Sequence, residues 1–325
     1  MPPKFSIVIP VYNRREFLSQ AIRSCLRQTA TEFEVIVSDD CSSEDLRGAV
    51  LSFADPRVQY ARNQTRIGAS NNHQRAVSLA KADYVLVLHS DDMLLPDCLQ
   101  VAARALEHRP EAAAAYFSTT YLSGSTVEGA GPVPKIAFAD GPVFYQNAWL
   151  EEYHGSNPTC CLFRKAAFDR IGGYRTALRF AYDWDLYMRL MTVGGGVIFV
   201  PEVLAIYRKH AEQAVNTSRD EGLLDVLDLW SLPEYSHWPA SVIARLVLTS
   251  ANAERKRGKL RQLFSEIRRR KLTLKLVTGV PMALLRRVLS LKTKLQKTAE
   301  ANTRTPNSVD RAIRIAGELI NATNG

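Results

Sequence analysis

Short, almost uninterrupted apolar runs alternate with amphipathic stretches in the first third of the chain, and each main run stops at turn or acidic residues. Phe5-Ser6-Ile7-Val8-Ile9 closes at Pro10, and Phe33-Glu34-Val35-Ile36-Val37 at Ser38-Asp39-Asp40. Tyr84-Val85-Leu86-Val87-Leu88 closes at His89-Ser90-Asp91-Asp92, and residues 58–60 form a weaker run. Between the first two, Leu18, Ala21, Ile22, Cys25 and Leu26 follow the i, i+3, i+4, i+7, i+8 spacing of one helical face. Helices are also expected over 70–81 and 96–108, and a strand over 112–117. Strands apolar along their whole length need cover on both faces. Their alternation with helices specifies an α/β fold, a mostly parallel sheet between two helical layers.

The rhythm breaks over 118–157, which holds Gly124, Gly129, Gly131, Pro132, Pro134, Gly141 and Pro142. This stretch reads as an irregular insertion or as small antiparallel pieces. Regular structure is expected to resume over 160–168, with a helix over 183–191 and a strand over 197–200 that ends at Pro201. From residue 220 the chain reads as helical, which divides it into 1–219 and a C-terminal region, 220–325. Hydrophobic residues at 46% and charged residues at 23% exclude a disordered or collagen-like chain.

The formal net charge of +9 is unevenly distributed. Residues 1–219 carry 23 basic and 23 acidic side chains, whereas 220–325 carry 19 and 10. The five cysteines, Cys25, Cys41, Cys98, Cys160 and Cys161, are odd in number and lack a C-x-x-C pair. Reduced thiols and a cytoplasmic location are therefore expected, with no disulfide framework or zinc ribbon. The N-terminal apolar run is too short for a signal peptide, and no uncharged apolar stretch is long enough to span a bilayer.

Ligands of an open α/β sheet bind beyond the carboxyl ends of its strands. There the sequence places Pro10-Val11-Tyr12-Asn13, Ser38-Asp39-Asp40 and Ser90-Asp91-Asp92. Gathered carboxylates repel one another unless a cation compensates them, and Mg²⁺ or Mn²⁺ bridging a diphosphate does so with hard oxygen ligands. The competing reading is that these Asp residues merely cap the next helix.

Ile7-Val8-Ile9-Pro10-Val11-Tyr12-Asn13 and Phe33-Glu34-Val35-Ile36-Val37-Ser38-Asp39-Asp40-Cys41-Ser42 resemble the opening of the family 2 glycosyltransferases, which have the GT-A fold. Leu88-His89-Ser90-Asp91-Asp92, Ile171-Gly172-Gly173-Tyr174, Asp183-Trp184-Asp185-Leu186 and Tyr207-Arg208-Lys209-His210 follow in the family's order. The resemblance covers residues 4–215. It implies a nucleotide-sugar-binding half at 1–118, an acceptor half at 119–219, and inverting transfer from a UDP-sugar or other NDP-sugar. By resemblance, Pro10, Tyr12 and Asn13 form the base-binding turn, and Asp40 with Asp39 accepts from the base N–H. Asp92 is implied as a ligand of Mn²⁺ or Mg²⁺, and Asp91 as a contact to ribose or metal. Asp183 is implied as the catalytic base that deprotonates the acceptor hydroxyl. Arg208 and His210 are implied to lie over the diphosphate, His210 as a metal or phosphate contact or else a surface residue. Two positions depart from the pattern. His89 replaces the first Asp of the metal motif, leaving it between ligand and packed imidazole, and Tyr182 replaces an acidic residue. A nucleotide-binding scaffold without turnover is the alternative that these departures keep open. Asp185 has a simpler reading, an i, i+4 ion pair with Arg189.

Residues 245–297 contain 16 Lys/Arg against Glu254 and Glu266. Leu260, Leu263, Phe264 and Ile267, then Leu284, Val288, Leu291 and Leu295, make apolar stripes at helical spacing. A basic helix with an apolar stripe suits an anionic membrane surface. The expectation is therefore a peripheral protein at the inner face of a membrane, acting on a lipid-linked or cell-surface glycan. Packing of the stripes on the catalytic domain is the other reading. Nucleic-acid binding is not expected, because no zinc finger, RNP-like strand or aromatic interleaving accompanies the charge.

Overall fold

Strand β1 (Phe5–Val11) lies between two parallel neighbours, β2 (Phe33–Asp39) and β4 (Tyr84–Val87), in a computed structural model of the chain. The structure describes residues 2–124, 126–130, 143–145, 160–211 and 213, with Asp225, Asp228, Leu229, Leu232, Ser265, Arg314, Ile315 and Glu318. The chain divides into two compact units, Met1–Gln213 with Arg304–Gly325, and Ala214–Thr303.

In the first unit the sheet order is β3-β2-β1-β4-β9-β6-β10-β5. β3 (Val58–Arg62) extends the parallel part, and β9 (Cys161–Arg164) runs antiparallel between β4 and β6 (Ala114–Ser123). Every residue of β1 and β2 is buried, as two-sided cover demands. Helix α1 (Arg15–Leu26) fully buries Leu18, Ala21, Ile22 and Cys25 and leaves Leu26 at the edge of its stripe. The other helices are α2 (Leu46–Leu51), α3 (Ala69–Ser78), α4 (Cys98–His108), α5 (Lys165–Arg170) and α6 (Tyr182–Leu190). α3 stops short of the expected residue 81 because the backbone there is used elsewhere. Lys81 N donates to Glu34 Oε1 (2.9 Å) and Ala82 N to Ser6 Oγ (3.1 Å), which helps compensate the buried Glu34.

Two prolines read as strand ends lie inside strands. Residues two apart point their backbone groups the same way, and Val8 O faces β4, where it accepts from Leu88 N. Pro10 therefore faces the same side, beyond the last β1–β4 pair at Val8 and Val87, where its missing N–H leaves no gap. β1 runs on to Val11, whose carbonyl accepts from Asp40 N. Pro201 sits at an irregularity of β10 (Val197–Lys209), within the first of its two register shifts, between Val200 and Val203. Bending there, β10 pairs parallel with β6 along its length and antiparallel with β5 (Met93–Leu94) near its end.

Part of the Gly/Pro-rich 118–157 stretch consists of antiparallel pieces. β6 runs to Ser123, β7 (Thr126–Ala130) returns along it, and β8 (Val143–Tyr145) pairs with β10. The remainder of that stretch, the two apolar stripes and all the basic residues of 245–297 lie outside the described residues. All five cysteines are free thiols. Among the described residues, no helix is long and apolar enough to cross a membrane.

Ile315 belongs to the first unit. It is buried with Met93, Leu95, Leu122, Val203 and Ile206, and nearby Glu318 pairs with Arg27 at 2.7 Å. Residues far apart in sequence thus share the apolar floor beneath the turn that follows Asp92. Truncating Ile315 to Ala is expected to lower unfolding free energy by about 2 kcal/mol, as cavity-forming core substitutions do. Denaturant unfolding that shifts by less than about 0.5 kcal/mol, within the range of a surface substitution, would contradict this packing.

Candidate active site

The ends of β1 and β2 are knitted into one rim. Asn13 and Arg14 both take left-handed backbone conformations, φ 60 and 66, a local strain that only surrounding contacts sustain. Asn13 N donates to Ser42 Oγ (2.7 Å), and Ser42 Oγ donates to Asp39 Oδ1 (2.5 Å). Asn13 Oδ1 accepts from Ser43 N (3.0 Å). Glu44 accepts from Arg14 N (3.0 Å) and Arg15 N (2.9 Å), so a carboxylate offsets the positive end of α1.

Both carboxylates after β2 are fixed by the protein. Asp39 Oδ2 accepts from the Tyr60 hydroxyl (2.6 Å) and Arg62 Nη1 (3.0 Å). Asp40 accepts from Asn63 Nδ2 and Ile67 N at Oδ1 (both 2.8 Å) and from Gly68 N at Oδ2 (2.9 Å). Asp40 thereby brackets the 63–68 segment, where Gly68 has φ 88. Tyr12 stays 38% exposed, with the Arg66 guanidinium 4.0 Å from its ring centroid. Pro10 lies behind it in β1.

After β4, His89, Asp91 and Asp92 each present a ligand atom, all within 4.8 Å of one another. Two hard carboxylates and an imidazole at this spacing fit a divalent cation, and the imidazole suits Mn²⁺ better than Mg²⁺. Asp91 Oδ2 meets Arg14 Nη1 at 2.7 Å and His210 Nε2 at 2.9 Å. Burial pushes the Asp91 carboxyl upward. The His210 hydrogen bond and the nearby His89 and Arg14 outweigh it, leaving Asp91 below the ordinary carboxylate range. Asp92 Oδ1 accepts from Arg208 N (3.0 Å).

Arg208 departs from its expected place over a phosphate. β10 continues past Pro201 through Lys209, and Arg208 points into the body. Its Nε donates to the Asp91 carbonyl (2.9 Å), its Nη2 to Gln20 Oε1, and its guanidinium lies 4.7 Å from the Phe17 ring centroid. Only 7% exposed, it braces the Asp91–Asp92 turn from behind. The His210 ring lies 5.1 Å from that of Phe17, tilted by 46°.

Asp183 opens α6. Burial pushes its carboxyl up to about 7, against the hydrogen bond from Trp184 N (2.6 Å). Tyr182 connects it with the β4 turn: the charges of both Asp183 and Asp91, added to burial, raise the Tyr182 hydroxyl. His73 packs between the two regions, its ring 4.9 Å from Tyr182 and 5.5 Å from His89. Burial and His89 push His73 down to about 3, so it is neutral. Its Nδ1 lies 2.8 Å from the Ala69 carbonyl, which can only accept, so Nδ1 carries the proton. Sequence reasoning missed His73 and Arg14. A lone His in a helix carries no local signal, and Arg14 follows a recognised motif without belonging to it.

Below Asp183, Gly172 and Gly173 adopt φ 77 and 69. A Cβ on Gly173 would come within 2.3 Å of Gln74 Oε1, the atom that accepts from Tyr174 N. Asp185 and Arg189 form their i, i+4 pair (Nε–Oδ2 2.9 Å), and Arg189 donates to the Ile171 and Gly173 carbonyls. This pair locks the glycine turn onto α6.

Comparison with known proteins points the same way as the geometry. The Glycosyl transferase family 2 profile matches residues 6–172. A putative colanic acid biosynthesis glycosyl transferase, WcaA of Escherichia coli, is 27% identical over 221 residues, 66% of this chain and 76% of the relative. WfgD of Escherichia coli, named a UDP-Glc:alpha-D-GlcNAc-diphosphoundecaprenol beta-1,3-glucosyltransferase, is 34% identical over 96 residues, 30% of this chain and 38% of its own. Staphylococcus aureus TarS 1-349, in complex with UDP-GlcNAc, superposes with a TM-score of 0.65 at 16% identity, covering 98% of this chain and 92% of that one. Fold, motif order and family profile agree: the chain belongs to Glycosyl transferase family 2 and is a glycosyltransferase of the GT-A fold.

Proposed function

We propose that the protein transfers a sugar, with inversion, from a UDP-sugar or other NDP-sugar to a hydroxyl of a lipid-linked or growing cell-surface glycan. One observation carries this reading: His89, Asp91 and Asp92 present ligand atoms within 4.8 Å of one another, and while Asp91 is held below its ordinary range, burial pushes Asp183 up to about 7. Opposed environments of this kind separate a base from an anionic ligand. The names of WfgD and of the TarS complex support a UDP-sugar donor, and WfgD and WcaA support a glycan acceptor on a lipid carrier or polysaccharide.

In this reading the donor base lies against the Tyr12 ring, beside Pro10, and Asp40 accepts from its N–H. Asp39 acts through Ser42 to hold Asn13 and the rim. His89, Asp91 and Asp92 would hold Mn²⁺ or Mg²⁺, with His210 supporting Asp91 through its Oδ2. A bound divalent cation offsets the charge that develops on the departing diphosphate. Asp183, oriented by Trp184 N, takes the proton of the acceptor hydroxyl as its oxygen bonds to the anomeric carbon and the bond to the diphosphate breaks. The basic stretch 245–297 brings the enzyme to an anionic membrane surface at the cytoplasmic face, where such acceptors reside.

A thermal-shift screen tests the donor. UDP-sugars with Mn²⁺ at a hundredfold excess over their dissociation constant should stabilise the fold by about 2.7 kcal/mol, and a flat response to every nucleotide sugar would sink the reading. Asp183→Asn is expected to reduce transfer by roughly 10²–10⁴-fold, the usual contribution of a general base, while donor binding persists. Loss of donor binding instead would remove Asp183 from the base role.

The pH dependence follows from the sign of the shift. Asp183 must be ionised to act, so turnover should rise with pH through about 7. Its folded pKa exceeds the ordinary value of 3.8, so the folded state binds the proton more tightly and the native protein loses stability as pH rises between about 4 and 7. Asp183→Asn removes that loss, so its melting temperature relative to wild type should rise with pH across this interval. A pH-independent difference would contradict the buried, proton-binding carboxyl. For the membrane address, salt-sensitive flotation with anionic liposomes should disappear when 245–297 is deleted, and flotation that survives deletion would refute it.

A further inference from the structure

Asp91 and Asp92 are 7% and 1% exposed, so their charge needs compensation before any ligand arrives. Arg14 supplies part of it. Its backbone is fixed at φ 66 by Glu44 and by the neighbouring Asn13–Ser42 contact. Its side chain, 28% exposed, reaches from the β1 rim to Asp91 Oδ2 at 2.7 Å, on one of the two carboxylates of the His89, Asp91 and Asp92 cluster. A guanidinium held on this carboxylate opposes, by like charge, the approach of a divalent cation to it.

We propose that Arg14 is a resident counter-cation of Asp91 that gives way to an incoming divalent cation and then pairs with the donor's diphosphate. The second half rests on the proposed nucleotide-sugar reading; the first does not. Charge balance supports the exchange. Once a dication compensates the carboxylates, the excess negative charge lies on the diphosphate, and a guanidinium matches two phosphate oxygens at once. Arg208 cannot take this place, because its guanidinium is buried against Gln20, Phe17 and the Asp91 carbonyl. The anchored Arg14 backbone leaves the long side chain as the moving part.

The exchange gives opposite signs for two ligands, which a purely positioning role for Arg14 does not. Arg14→Met should bind Mn²⁺ more tightly in the absence of nucleotide, by up to about five-fold for removal of a partly exposed ion-pair competitor. The same variant should bind UDP with Mn²⁺ about ten-fold more weakly, the loss of one charged hydrogen bond. Arg14→Lys retains the cation and should keep Mn²⁺ affinity near wild type while recovering part of the UDP affinity. Mn²⁺ binding is read by electron paramagnetic resonance on the nucleotide-free full chain, and UDP binding by calorimetry. Unchanged or weaker Mn²⁺ binding by Arg14→Met overturns the exchange, as does wild-type protein that binds no Mn²⁺. Tighter Mn²⁺ binding with unchanged UDP affinity overturns the diphosphate half alone. Wild type that binds Mn²⁺ but no nucleotide instead refutes the nucleotide-sugar reading.

Discussion

The described structure is organised around the compensation of a buried carboxylate pair. Asp91 and Asp92 sit on a turn that β4 carries to the sheet edge, and two ionised acids in a low-dielectric setting cost several kcal/mol each without partners. The partners come from distant parts of the chain. Arg14 is 77 residues away, Arg208 contacts the Asp91 carbonyl from 117 residues away, and His210 meets its carboxylate from 119. β1 must deliver its rim next to β4, and β10 must stay a strand long enough to reach the same turn. The irregularity near Pro201 is what lets one strand pair with β6 and still end at Asp92.

Around this turn the site separates its acids by environment. Asp39 and Asp40 are held in place by protein donors and set the shape of the rim. Asp91 is held ionised by cationic and imidazole neighbours, whereas Asp183 is held near neutrality by burial with few compensating donors. His73, neutral and pinned by Ala69, fills the space between these regions with a ring rather than a charge.

Much of this was legible in the sequence because the parallel strands are buried on both faces and so read as uninterrupted apolar runs. The acids at their ends, and the helical spacing of Leu18, Ala21, Ile22 and Cys25, locate the sheet edge and its cover. The rest depends on direction, which residue type does not encode. Pro10 and Pro201 read as terminators, yet each lies where a missing N–H is tolerated. Arg208 reads as a phosphate ligand because it is a cation beside the site, but its strand register turns it inward. Arg14 gives no sign in the sequence that its side chain reaches the Asp91–Asp92 turn. β5 has only two residues and α2 only six, too few to establish a period.

The packing of Ile315 against Met93, Leu95, Leu122, Val203 and Ile206 bears on how the protein is made. Domains assemble as they emerge during synthesis, but here the strands around the carboxylate turn leave the ribosome long before residue 315. Until that residue is translated, the apolar floor under the turn stays open to solvent. The packing of the first unit is therefore completed only after everything between Gln213 and Ile315 has been synthesised.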